Sequence, residues 1–165
     1  MKANGLGIAV FAAALFAAGG LPAVAHAGSA IINVTLADKG MKADPVDGLG
    51  LSLGGDKSKA TMSTLAVPSK VRAGKVKFVV TNKSADTIHE IIVAPLADQT
   101  KPLPYVLKDE RVDEEAAGSL GEVSELEPGK SGSLELDLKP GTYILYCNIP
   151  KHYMTGMWTV VTVTK

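Results

Sequence analysis

The stretch Gly132-Ser133-Leu134-Glu135-Leu136-Asp137-Leu138 alternates apolar and polar residues without a slip. A period of two suits a half-buried strand and defeats a helix, so Leu134, Leu136 and Leu138 are expected on one face. Lys75-Val76-Lys77-Phe78-Val79-Val80-Thr81-Asn82 begins with the same rhythm and ends in a turn at Asn82-Lys83-Ser84. Short segments of this kind recur along the chain. Ala30–Ala37, Ala60–Val67, Thr87–Ala94, Gly121–Leu126, Thr142–Cys147 and Met157–Thr164 all read as strands, with Val160 and Val163 as core members of the last. Gly and Pro close four of them, at Pro68, Pro95, Pro128-Gly129 and Pro140-Gly141.

Between the strands lie three kinds of connection. Lys39–Lys59 reads as a long loop, with one short strand at Leu49–Leu53. Ser69–Gly74 reads as a turn. Leu96–Ser119 reads as a polar loop holding one short helix within Asp109–Ala117, capped by Asp109 or Asp113. Seven to eight short strands at this spacing predict an all-β Greek-key sandwich or barrel, antiparallel throughout, with one short helix in a long loop.

The first 27 residues are expected to be no part of that fold. Met1-Lys2 is a short positive start, Gly5–Val24 is apolar, and Ala25-His26-Ala27 matches an A-x-A cleavage site. The expectation is a signal peptide over residues 1–27, a single domain over 28–165, and a protein exported to the periplasm or beyond. The alternative is an uncleaved anchor, weakened by Gly19-Gly20 and Pro22. No cysteine follows the apolar run, which excludes a bacterial lipid anchor there. After cleavage sixteen basic residues face seventeen acidic ones. That balance gives no footprint for nucleic acid or an anionic membrane surface, and a monomer with no membrane span is expected.

An exported chain with one cysteine cannot make an internal disulfide. Cys147 is open to three readings: a buried small hydrophobe, a free reactive thiol, or a metal-bound thiolate. Its surroundings favour the third. His152 follows five positions on and Met157 five beyond that, with Pro150 and Gly156 to bend the loop back. A thiolate, an imidazole and a thioether are soft ligands that suit copper, and His89 supplies the second imidazole that a trigonal His₂Cys site with a weak axial Met requires. His89 must then lie on a strand adjacent to the one ending at Cys147. Met154 competes with Met157 as the axial group but follows His152 by only two residues. Met41 and Met62 read as packing residues, and Tyr143, Tyr146 and Trp158 as core aromatics beside the site.

The pattern Tyr143, Tyr146-Cys147-Asn148, Pro150, His152-Tyr153, Gly156-Met157 resembles the cupredoxins, the small blue type 1 copper proteins. The ligand loop is most similar to auracyanin-, sulfocyanin- and azurin-like members. The likeness extends to Val34-Thr35-Leu36, Ala73–Phe78 and Pro140–Tyr143. It implies His89, Cys147 and His152 as strong equatorial ligands of one copper ion, Cu(I) or Cu(II), and Met157 as the long axial ligand. It also implies an electron carrier, not an enzyme, that docks redox partners such as cytochromes or a respiratory complex through a His152 edge ringed by Tyr153, Met154 and Pro95. Periplasmic copper trafficking or resistance without redox turnover is the alternative. Two residues depart from the pattern. Lys151 stands where these loops usually carry Gly, which predicts strain if φ is positive there. Glu90 stands where several relatives use Asn to tie the two ligand segments together.

Overall fold

The computed structural model describes residues 28–39 and 46–165. The segment read as a signal peptide, residues 1–27, and Met41 lie outside them. Among the described residues are strands β1 (Ala30–Asp38), β2 (Met62–Val67), β3 (Lys70–Arg72), β4 (Gly74–Asn82), β5 (His89–Pro95), β6 (Tyr105–Val106), β7 (Arg111–Val112), β8 (Gly121–Leu126), β9 (Ser131–Leu138), β10 (Gly141–Tyr146) and β11 (Trp158–Thr164). One helical turn, α1 (Glu114–Ala117), follows β7, and a 3-10 turn spans Lys57–Lys59.

Two sheets face each other. The first has the order β2-β1-β4-β9 and the second β3-β11-β10-β5-β8; neither closes on the other, so the fold is a sandwich and not a barrel. The expectation of a wholly antiparallel arrangement fails at two ladders, because β1 runs parallel to β4 and β3 parallel to β11. β3 was expected as a turn; its three residues gain strand geometry by pairing with Thr162–Thr164. Conversely, Leu49–Leu53 forms no strand. Its leucines instead pack down as a turn, with Leu49 and Leu51 buried.

Alternation decides which side chains meet. Ile32, Val34 and Leu36 from β1 and Val76, Phe78 and Val80 from β4 face Ile91, Val93, Tyr143, Leu145, Val161 and Val163 across the sandwich. Leu138 is buried in this core, and Leu134 and Leu136 pack partly against it. On β11 the inward pair is Val161 and Val163. Val160, expected in the core, points the other way, as a period of two demands. The outer face of β5 and β10 is covered as well, since Ile92, Ala94, Ile144 and Tyr146 lie under Leu96, Leu103, Val112 and Leu51. A strand buried on both faces needs a continuous apolar run, which Ile91-Ile92-Val93-Ala94 supplies.

The long connection 96–119 is therefore a cover for the second sheet. It contains the β6–β7 hairpin and then α1, whose Asp113 cap accepts from the Ala116 N–H at 3.0 Å and whose end is Gly118 at φ +72°. Of the two caps expected, Asp113 is the one used.

Candidate metal centre

β5 and β10 are antiparallel neighbours, with Tyr146 opposite Ile92. The parity that sends Ile91, Val93, Tyr143 and Leu145 inward also sends His89 and Cys147 inward, at the same end of the core. His152 arrives from the loop after Cys147. The ligand atoms of His89, Cys147 and His152 all lie within 4.8 Å of one another, and all three residues are buried. His152 Nδ1 is 3.3 Å from Cys147 Sγ and 3.2 Å from His89 Nδ1, and Cys147 Sγ is 3.9 Å from His89 Nδ1.

The loop closes through its own backbone. The Cys147 N–H donates to the Met157 carbonyl and the Met157 N–H to the His152 carbonyl, both at 3.0 Å. Met157 is fully buried in the same core cluster as Cys147, whereas Met154 packs with Tyr153 and Trp158 on the other side of the sheet. Met62 is half-buried against the inner core and accepts from the Thr155 hydroxyl. Gly156, at φ +93°, makes the bend expected of it. Lys151 sits at φ +72°, in the left-handed region that costs a side chain about 1 kcal/mol. Its N–H donates to the Glu110 carbonyl at 2.8 Å, and its ammonium pairs with the Glu110 carboxylate at 3.3 Å. The hairpin thus holds the strained residue in place.

His89 is held from behind. Its Nε2 lies 3.0 Å from Asp38 Oδ2 and 2.8 Å from Ser84 Oγ. A carboxylate facing Nε2 puts the proton there and leaves the Nδ1 lone pair facing Cys147 and His152. Neither Asp38 nor Ser84 was foreseen, because an Asp at a strand end and a Ser in a turn carry no signal in a single sequence. Ser84 is fixed in turn by Asn82, whose Oδ1 accepts from the Ser84 N–H at 2.9 Å. Glu90 does join the two ligand segments. Its N–H donates to Cys147 Sγ at 3.5 Å, and the Asn148 N–H on the other segment draws its carboxyl pKa down slightly. Among the described residues its Oε1 has no hydrogen-bond partner, and burial, followed by Glu122, pushes the Glu90 pKa up to about 7. The Asn148 side chain reaches outward to the hairpin, accepting from the Val112 N–H at 2.7 Å and donating to the Val112 carbonyl at 3.0 Å.

Electrostatically the three donors are neutral and dry. Burial lowers the pKa of His89, against the pull of Asp38, and takes His152 down to about 4 with help from the neighbouring His89. Burial also pushes the Cys147 thiol up to about 12, opposed by the N–H groups of Glu90 and Ile149. Two neutral imidazoles and a buried thiol suit a cation, which would take the thiol as thiolate. Donor separations of 3.2–3.9 Å also suit a metal ion sitting about 2.0–2.3 Å from each donor. The residues present therefore fit a bound copper.

The docking ring expected around His152 is only partly there. Tyr153 is buried, with its hydroxyl accepting from the Leu103 N–H at 2.9 Å. Pro95 ends β5 at the opposite end from His89. Of that ring, Met154 alone keeps its place near the surface, joined by Leu107 at the hairpin tip, which is 82% exposed.

The chain is also similar to known proteins. Residues 52–164 match the family model for copper binding proteins of the plastocyanin/azurin family. Comparison with curated protein sequences gives no match. Among solved structures, auracyanin B is similar at 21% identity and a TM-score of 0.51, covering 84% of this chain and 92% of its own. Reduced rusticyanin is similar at 16% identity and a TM-score of 0.50, covering 84% and 82%. A dithionite-reduced auracyanin from the photosynthetic bacterium Roseiflexus castenholzii gives 18% identity, a TM-score of 0.48 and coverage of 84% and 99%. With the matched segment spanning both His89 and the loop from Cys147 to Met157, the chain belongs to the plastocyanin/azurin family of copper-binding proteins.

Proposed function

We propose that this protein carries single electrons between redox partners, with His89, Cys147 and His152 as the equatorial copper ligands and Met157 as the axial one. The observation that carries the reading is the convergence of three buried donors within 4.8 Å, backed by the Asp38 and Ser84 contacts to His89. Copper, when bound, supplies a one-electron Cu(II)/Cu(I) couple.

The chain's part is to keep the donors where they are in both states. Asp38 and Ser84 fix the His89 tautomer and ring, the Glu90 N–H donates to the Cys147 sulfur, and paired backbone bonds close the loop from Cys147 to Met157. Apolar burial on both sides of β10 keeps water from the sulfur. His152, at 7% exposure, is the ligand nearest to solvent, while His89 and Cys147 are fully buried. That supports electron exchange through the His152 edge. The N-terminal pattern supports export to the periplasm with cleavage after Ala27. Among the described residues no helix is long and apolar enough to cross a membrane.

Repeated oxidation and reduction in the presence of a modest chelator tests this reading against copper trafficking. An electron carrier keeps one copper per chain through the cycles. Metal lost to the chelator in either state would instead favour a trafficking role.

A further inference from the structure

The segment Leu49–Lys59 crosses the outer side of the ligand loop and is tied to it at both ends. At one end the Leu49 N–H donates to the Met154 carbonyl at 2.7 Å, and the Leu49 carbonyl accepts from the Trp158 indole N–H at 2.7 Å. At the other, the Lys57 ammonium donates to the Trp158 carbonyl and lies 3.5 Å from the centroid of the Trp158 ring. The fit between is close. A Cβ on Gly50 would fall 2.9 Å from the Tyr153 ring and 3.2 Å from Met154 Sδ, and one on Gly156 would fall 3.2 Å from both Leu49 and Ala60. The family pattern gave no reason to single out Leu49 or Lys57.

Trp158 is the residue after Met157, and the Met157 backbone is bonded to both Cys147 and His152. A shift at Trp158 is therefore passed straight to the ligand loop. We propose that Lys57 and Trp158 are positioning residues: with Leu49 they strap the segment Met154–Trp158 in place and so fix Met157 relative to Cys147 and His152. This rests on the reading of Met157 as the axial ligand. Lys57 suits the role because its ammonium has two partners on one residue, a carbonyl and an aromatic face. Burial pulls its pKa down to about 8, in keeping with a cation held at a partly dry contact.

Three variants test the strap: Lys57→Met, which keeps the aliphatic stem but loses the donor and the charge, Lys57→Arg, which restores both, and Trp158→Phe, which loses the indole N–H. Hydrogen exchange on the metal-free protein should speed up about tenfold or more around Leu49 and Met154–Trp158 in Lys57→Met and Trp158→Phe, since a bond to a charged group holds about that much. Exchange over β1, β4 and β9 should not change, and Lys57→Arg should stay within about threefold of the unmodified protein. In the copper-loaded protein the reduction potential should shift in Lys57→Met and return in Lys57→Arg, because the axial ligand tunes it. Unchanged exchange in Lys57→Met overturns the proposal. Faster exchange with an unmoved potential also overturns it, leaving a clamp that does not position the site. A colourless unmodified protein would sink the electron-carrier reading instead, and the exchange arm would still decide the strap.

Discussion

Asn82 gives the sharpest link between the fold and the site. Its side chain is fully buried at the end of β4; Nδ2 donates to the Thr87 and Leu126 carbonyls, both at 2.8 Å, and Oδ1 accepts from the Ser84 N–H. Those three bonds hold the turn that delivers Ser84 to the His89 ring, and Leu126 is the residue opposite His89 on β8. Asn82→Ala removes all three. The buried Ser84 N–H then costs about 1–3 kcal/mol, and each carbonyl that loses a donor about 0.5–1.5 kcal/mol. The expected total is about 4 kcal/mol, below the 5–15 kcal/mol that holds a typical domain together. The variant should therefore fold. In urea, with a slope of about 2 kcal/mol per M, the metal-free midpoint should fall by about 2 M. Copper affinity should fall too, because Ser84 no longer braces His89. A midpoint within about 0.5 M of the unmodified protein, or weakened stability with unchanged copper affinity, would refute this account of the turn.

Two further substitutions and a pH series extend the test. Gly156→Ala puts a Cβ at φ +93° and 3.2 Å from Leu49 and Ala60, so it should cost about 1–3 kcal/mol in the same urea experiment, from strain plus crowding. At the site, the pH dependence of the metal-free protein sets two lowered histidines, His89 and His152, against one raised carboxyl, Glu90. His152, taken down to about 4, contributes stability that is present above its unfolded value of 6.5 and lost as pH falls, about 2 kcal/mol between pH 7 and pH 5. Glu90, raised from 4.5 to about 7, favours the protonated fold and gains about as much over the same window. His89, lowered by burial as well, adds to the loss, so unfolding free energy should fall from pH 7 to pH 5, and should fall by about 2 kcal/mol more in Glu90→Gln. Equal pH profiles for the two proteins would count against a raised Glu90 pKa.

Much of the fold was legible because alternation is a local signal. Gly121–Leu126 matches β8 at both ends, and β4, β9 and β10 fall within one residue of expectation. The donors were legible for a related reason, since Cys147, His152 and Met157 share one short loop and His89 was the remaining histidine beyond residue 27. What did not show was anything set by distant partners. β3 is a strand only because Thr162–Thr164 lies beside it, and the parallel β1–β4 pairing is a property of topology. Asp38 reaches His89 across the sandwich, and Trp158, read as a core aromatic, is half-buried and bonded to Leu49. The bulge between β5 and β8 beside His89, with Glu125 at φ +27°, also left no trace in composition. Lys151 was a partial success: the missing Gly raised the question of positive φ, and the Glu110 contacts show how the strain is held.

The central claim is that the Cys147 sulfur binds copper between the His89 and His152 rings, and the visible spectrum of the copper-loaded, oxidised protein tests it most directly. The account predicts an intense blue absorption at one copper per chain, gone in Cys147→Ser. A colourless protein, or a Cys147→Ser variant that keeps the colour, would contradict it.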